Sequence, residues 1–216
     1  VDPQFQFLAF ENLWNADYWD SVDPDFITRD PRAEAPDYQF WWTGNQGELG
    51  AFWSGYQSRW ISTDLMRQDP GELADAFYRA SRLHPFIFQI NKGLSGEHPE
   101  ARARDEQTAL HPGCFEAGGL VIMGSAQQYK YPGVEGHKPS ARISREVGSD
   151  INRAMGYIMD VTPGAGSYST EADFFLEDWQ EAQWGTNYPR LLRIKRTYDP
   201  ANFFKVHHGV GSEELD

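Results

Sequence analysis

The chain has one cysteine, Cys114, in 216 residues. An internal disulfide is therefore impossible, and so is a zinc site built on cysteines. Basic residues are scarce: 19 Lys and Arg stand against 32 Asp and Glu, a formal charge of −13. Such a balance argues against nucleic acid, whose phosphates demand a basic face, and otherwise serves solubility. No apolar run approaches the roughly 20 residues that a membrane helix needs. The opening "VDPQFQFLAF" lacks a basic region followed by an apolar core, so no signal peptide is expected within this sequence. Phosphate-cradling motifs are missing too. "GAGSYS" at 164–169 contains G-x-G but no third glycine, and it leads into an extended pattern instead of a helix.

Packing material, by contrast, is plentiful. Aromatic residues make up 15% of the chain, including eight Trp, which is too rich for disorder. Strand and helix signals interleave without strict βαβ repetition. Residues 4–10 and 38–43 read as extended, and the Asp-rich, Pro-punctuated stretch between them reads as a long loop. Leu49, Phe52, Trp53, Tyr56 and Trp60 follow helical spacing. "DPGELADAFYRASRL" reads as a helix capped by Asp69, with Pro70 in its first turn, Glu72 completing a capping box and a stripe of Leu73, Phe77, Ala80 and Leu83. It feeds a strand in which Phe86, Phe88 and Ile90 alternate with Ile87, Gln89 and Asn91, so that one face carries amides. A helix is expected over 101–110, and residues 115–124 fit helix or strand equally. Ile151, Ala154, Met155, Ile158 and Met159 mark a further helix. Near the C-terminus a short strand with Tyr168, Thr170 and Ala172 on one side precedes two helices. The second of these buries Tyr188, Leu191, Ile194 and Tyr198 and stops at Asp199-Pro200.

Three constellations invite chemistry. The histidines lack helical i, i+4 spacing and a local carboxylate pattern, and adjacent His207 and His208 would diverge on a strand, so no metal site is expected. Glu171 and Asp173, two apart on a strand face, would lie within roughly 7 Å, the pairing a glycoside hydrolase needs. Trp14, Trp19, Trp41, Trp42, Trp53 and Trp60 raise the alternative of a carbohydrate-binding module, although ordinary core packing accounts for most such residues. Trp41 and Trp42 must split between two faces of one strand.

One long stretch speaks more specifically. "WGTNYPRLLRIKRTYDPANFF" matches, at Gly185, Asn187, Tyr188, Arg190, Leu191, Ile194, Lys195, Tyr198, Asp199, Pro200, Asn202 and Phe204, the C-terminal signature of berberine-bridge-enzyme-like FAD-linked oxidases. The sequence resembles that family of vanillyl-alcohol-oxidase type flavoproteins. "FQINKGLSG", "SYSTEADFF" and "HHGVGSEE" are similar to its bacterial branch. The resemblance implies an α+β fold, a broad antiparallel sheet flanked by helices on one face, with C-terminal helices returning to a flavin domain on another chain. It implies a substrate-binding cap over residues 1–165 and a berberine-bridge-type segment over 166–216.

The family's flavin-linking and pyrophosphate-binding stretches have no counterpart here. The resemblance therefore implies FAD held mainly by a separate N-terminal chain, the partner without which this chain is inactive, produced by cleavage or from a second gene. The pair would move a hydride from an alcohol or sugar carbinol to flavin N5, with oxygen as the final acceptor and hydrogen peroxide as product. Tyr168 stands at the place of the family's pocket tyrosine and is the expected base, while Thr170 replaces the usual Asn. A phenol titrates near pH 10 by reference, so a base role requires a partner such as Lys92. Gln89, Asn91, Lys92, Thr170 and Glu171 are the expected substrate contacts. Asn187 and Tyr188 are the expected supports of the flavin side. A periplasmic or secreted location is favoured over a cytoplasmic one.

Overall fold

The computed structural model describes residues 12, 14–30, 32–45, 50–90, 92–127, 130 and 135–214. The expected strand at 4–10 and residue Asn91 lie outside these. The chain divides into two compact units, residues 1–52 with 127–139, and residues 53–126 with 140–216.

In the first unit, the stretch expected to be a loop carries regular structure. Helix α1 (Ala16–Val22) starts at Asn15, whose side-chain oxygen accepts from the Tyr18 amide. Strand β1 (Ile27–Arg29) pairs antiparallel with β2 (Phe40–Trp42). Asp23, Pro24 and Asp25 belong to the cap and turn between α1 and β1, whereas Asp17 and Asp20 lie within α1 and pair with Arg29. Ala16, Trp19 and Ile27 form a small core, with Trp42 edge-on to Trp19 at 4.6 Å between ring centres. Trp42 thus packs inward while Trp41 is exposed, the division that alternation on a strand requires.

The second unit is built on a three-stranded sheet of order β3-β5-β4, from β3 (Phe52–Ser62), β4 (Ile87–Gln89) and β5 (Ala117–Gln127). The sheet is narrow among the described residues, not broad. β3 also replaces the helix expected from Phe52, Trp53, Tyr56 and Trp60; Leu49, named with them, lies outside the described residues. Apolar residues fall on both alternating sets of this strand, Phe52, Tyr56 and Trp60 on one and Trp53 and Ile61 on the other, and their sum imitates a 3.6 period. β5 resolves the ambiguity of 115–124 as strand, entered through one turn of helix, α5 (Gly113–Glu116).

Helix α2 (Thr63–Gln68), capped by Ser62, leads into α3 (Pro70–Ser81). Asp69 precedes α3 as expected but makes no side-chain cap bond; Pro70 and the acidic Glu72 mark the start instead. Helix α4 (Pro99–Asp105) is followed, after β5, by α6 (Ala141–Asp160), the longest element. α3 and α6 lie together on one face of the sheet, where Leu73, Ala76 and Ala80 meet Ile151, Ala154, Met155 and Ile158 over Ile61, Val121 and Met123. Phe86 and Phe88 stack edge-on against Phe77 on this side.

The C-terminal stretch holds α7 (Trp179–Trp184), ended by Gly185 at φ 52°, and α8 (Tyr188–Tyr198). α8 forms where expected, yet its stripe is covered only at its start: Tyr188 and Leu191 are half-buried, whereas Ile194 and Tyr198 are exposed, and so are Phe203, Phe204 and Val206. Residues 166–173 are not a strand. The Tyr168 carbonyl accepts from the Glu171 amide at 2.9 Å, which closes a turn. Ahead of it Gly164 and Gly166 adopt positive φ, breaking the extended run.

Candidate functional site

The sheet's other face has a different character. Leu120, Ile122 and Trp60 point there by alternation, with Cys114, Phe115 and Ala117 beside them. In the β4–β5 register Gln89 lies opposite Leu120 and Ile87 opposite Ile122, so both side chains share this face. Tyr56 and Tyr168 pack against the same cluster.

Tyr168 is held by its backbone. Its amide donates to Ser58 Oγ at 2.9 Å, and the preceding Ser167 amide donates to the Ala182 carbonyl at 2.7 Å. The phenol ring meets Trp60 edge-on at 6.2 Å. Lys92 Nζ lies 4.9 Å from the ring centre, a cation–π distance. Lys92 is fixed by the loop after it. An added Cβ on Gly93 would sit 2.0 Å from the Ala117 carbonyl oxygen, so only glycine lets this loop lie against the start of β5. There the Leu94 amide donates to the Cys114 carbonyl at 2.9 Å and the Ser95 amide to that of Ala117 at 3.1 Å.

Tyr56 completes the wall. Its hydroxyl donates to Glu171 Oε1 at 3.1 Å, and its ring tilts against Trp53 at 4.7 Å. An added Cβ on Gly124 would lie 2.3 Å from that ring, so the glycine makes room for it. Tyr56, Ile87, Ile122 and Gly124 line a cleft of about 280 Å³. A larger cleft, about 590 Å³, lies beside α6 and shares Tyr56 with the smaller one; neither cleft is lined by Tyr168, Lys92, Gln89 or Glu171.

Three buried polar atoms on this side have no hydrogen-bond partner among the described residues: Gln89 Oε1, Glu171 Oε2 and Trp60 Nε1. A buried polar group without a partner costs on the order of 1–3 kcal/mol. Two are acceptors and one is a donor, a set suited to a hydroxyl-bearing ligand, which offers both functions.

Of the residues named from sequence, the structure thus gathers Tyr168, Lys92, Gln89 and Glu171. It leaves Thr170 at the exposed tip of the turn. The carboxylate pairing is overturned. Glu171 bonds Tyr56, whereas Asp173 Oδ2 accepts from Gln57 at 3.0 Å, and those two neighbours on β3 face opposite sides of the sheet. Asn187 and Tyr188 brace this chain's own segments: Asn187 Nδ2 donates to the Leu110 carbonyl at 2.7 Å, and the Tyr188 hydroxyl donates to Glu213. Tyr56, Ser58 and Gly93 were not foreseen as site residues. The Tyr-x-Ser-x-Trp alternation at 56–60 carried the signal for the first two, masked by the helical reading.

Among the described residues no group of three or more His, Cys, Asp or Glu is arranged to hold a metal ion. Burial pushes the Cys114 thiol up to about 11, which keeps it protonated and unreactive at neutral pH.

The fold is of the vanillyl-alcohol-oxidase type. It matches the crystal structure of the VAO-type flavoprotein MtVAO713 from Myceliophthora thermophila C1 with a TM-score of 0.61 at 21% identity, over 82% of this chain and 30% of that one. MtVAO615 from the same organism matches at 0.51 and 27%, over 72% and 27%. Residues 167–211 match the family model "Berberine and berberine like", so the chain carries the C-terminal segment of that family. The FAD-linked oxidoreductase notD' of Aspergillus versicolor is 53% identical over 69% of this chain and 23% of its own length. The FAD-linked oxidoreductase notD of Aspergillus sp. (strain MF297-2) is 32% identical over the same shares. The chain therefore spans about a quarter of the length of these relatives. They come from Aspergillus, whereas the short stretches had suggested a bacterial branch.

Proposed function

We propose that this chain is the substrate-facing part of an FAD-dependent oxidase acting on an alcohol or a sugar carbinol. The observation that carries this reading is the juxtaposition on one sheet face of Tyr168, with Lys92 Nζ 4.9 Å from its ring, and the unpartnered acceptors of Gln89 and Glu171. The flavin, held mainly by protein outside this chain, supplies the hydride acceptor, with oxygen taking the electrons onward to give hydrogen peroxide.

The work of this chain is orientation and proton transfer. Gln89 Oε1 and Glu171 Oε2 accept hydrogen bonds from substrate hydroxyls, and Trp60 Nε1 donates one. The Tyr168 oxygen, as the phenolate, takes the hydroxyl proton as the adjacent C–H bond breaks and is left as the neutral phenol, with the Lys92 ammonium beside its ring. The uncovered side chains of Ile194, Tyr198, Phe203, Phe204 and Val206 form the surface that packs on the flavin-binding part. That part is a companion chain, and Asn187 and Tyr188 hold the segment in shape for it.

Two measurements test the reading. In anaerobic stopped flow, Tyr168→Phe reduces the rate of flavin reduction by roughly 100-fold or more, the scale of a lost base; a wild-type rate removes the assignment. This chain purified alone is colourless and captures a yellow, larger polypeptide. Bound flavin in this chain alone would overturn the division of labour.

A further inference from the structure

"GAGSYS" cradles a histidine. His111 is buried, and three glycines from three different segments enclose its ring. An added Cβ on Gly166 would lie 2.5 Å from Cε1 and from Nε2, one on Gly113 2.9 Å from Nδ1, and one on Gly185 3.1 Å from Nε2. Gly113 opens α5, Gly185 ends α7, and Gly166 lies two residues before Tyr168. Gly166 and Gly185 also need positive φ, 71° and 52°. The ring's own bonds fix its orientation. Nδ1 accepts from the Gly113 amide at 2.9 Å, so in the neutral ring the proton sits on Nε2.

The contact leads directly to Tyr168. The Gly166 carbonyl accepts from the Trp60 amide at 3.2 Å, the Ser167 amide bonds Ala182, and the Tyr168 amide bonds Ser58 Oγ. His111 thus fills the space beneath the last backbone segment before the phenol. A ring displaced or lost at that point lets Gly166 settle inward and carries Tyr168 away from Lys92.

We infer that His111 is a positioning residue, setting the place of Tyr168 through Gly166 without touching the substrate. The role rests on Tyr168 serving the chemistry proposed above. The electrostatic surroundings agree with a neutral ring. Burial holds the imidazole below its ordinary value, and Arg59 on β3 acts in the same direction. The Glu181 carboxylate and main-chain carbonyl on α7 oppose it.

The test uses the flavin-loaded protein that contains this chain, with His111→Ala, Tyr168→Phe and the double variant. His111→Ala lowers the rate of flavin reduction roughly 10- to 100-fold, the scale of a misplaced reacting group, with little change in KM. In the Tyr168→Phe background the same change costs less than about 2-fold, because the group it positions is already gone. His111→Asn, which keeps an acceptor for the Gly113 amide, restores part of the rate. A loss of equal size in both backgrounds, or a wild-type rate in folded His111→Ala, overturns the inference. Amide hydrogen exchange separates this outcome from a failure of Tyr168 as base. In His111→Ala the Ser167 and Tyr168 amides exchange at least about 10-fold faster while those of α6 stay protected, whatever the turnover. Unchanged exchange at 167–168 overturns the positioning role by itself.

Discussion

The two faces of the three-stranded sheet use the same strands for opposite ends. Toward α3 and α6, Ile61, Val121, Met123, Ile151 and Ile158 are apolar and shut away from solvent. On the other side the same strands carry Tyr56, Trp60 and Gln89, and buried polar atoms there lack partners. One face contributes stability; the other holds unmet hydrogen-bonding capacity, which costs stability until a ligand supplies the partner. Three strands are enough for both because successive side chains alternate.

The largest effect that would separate the faces is a cavity on the helix side. Ile158→Ala should lower unfolding free energy by about 2–5 kcal/mol, since its side chain is fully buried. The rate of flavin reduction per folded molecule should stay at the wild-type value. Tyr168→Phe should do the reverse, shifting stability by less than about 0.5 kcal/mol, because no described residue bonds its hydroxyl, while the rate collapses. Urea titrations beside stopped flow measure both. If Ile158→Ala impairs chemistry as strongly as Tyr168→Phe, the faces are not independent.

The contrast also explains what could be read in the sequence. α3, α6 and α8 were legible because each shows its apolar stripe at helical spacing, and α8 also ends on marked residues, Asp199-Pro200. β3 was not legible, because apolar residues on its two alternating faces superimpose two period-2 patterns. The carboxylate pair failed for the same reason in reverse: a turn at 168–171 replaces the assumed strand and sends Glu171 and Asp173 to different partners. The signature stretch, read as family resemblance, proves largely architectural. Asn202 takes φ 48° with Nδ2 on the Gly211 carbonyl, and Lys195 and Asp199 form an ion pair. Tyr168, Lys92, Gln89 and Glu171 were named as candidates with the help of resemblance, whereas Tyr56 and Gly93 depend on contacts far apart in sequence.

A smaller effect sharpens the claim about the polar face. Gln89→Met keeps volume and removes the unpartnered acceptor, so the chain should gain about 1 kcal/mol in urea unfolding. The same variant should bind substrate more weakly, since its replacement cannot accept a hydroxyl proton. A loss of stability in Gln89→Met would mean that Oε1 already has a partner, and the argument from unmet capacity would fail for this residue.

The smallest effect lies away from both faces, in the clasp after α8. Asp199 accepts from Lys195 Nζ and from the amides of Phe203 at 2.8 Å and Phe204 at 3.0 Å. The Lys195 hydrogen bond first, and the Phe203 amide next, hold its carboxyl down at about 2, against an ordinary value of 3.8. A depressed carboxyl stabilises the folded chain at every pH above its unfolded value, because the unfolded chain there gains nothing by protonation. Below about pH 4 the unfolded chain takes up the proton first, and the contribution fades until it is gone near pH 2. Asp199→Asn should therefore melt a few degrees below wild type at pH 7, with the two melting curves converging as pH falls from 4 to 2. Curves that stay parallel through that window would show that Asp199 acts by shape alone, with no share from its charge.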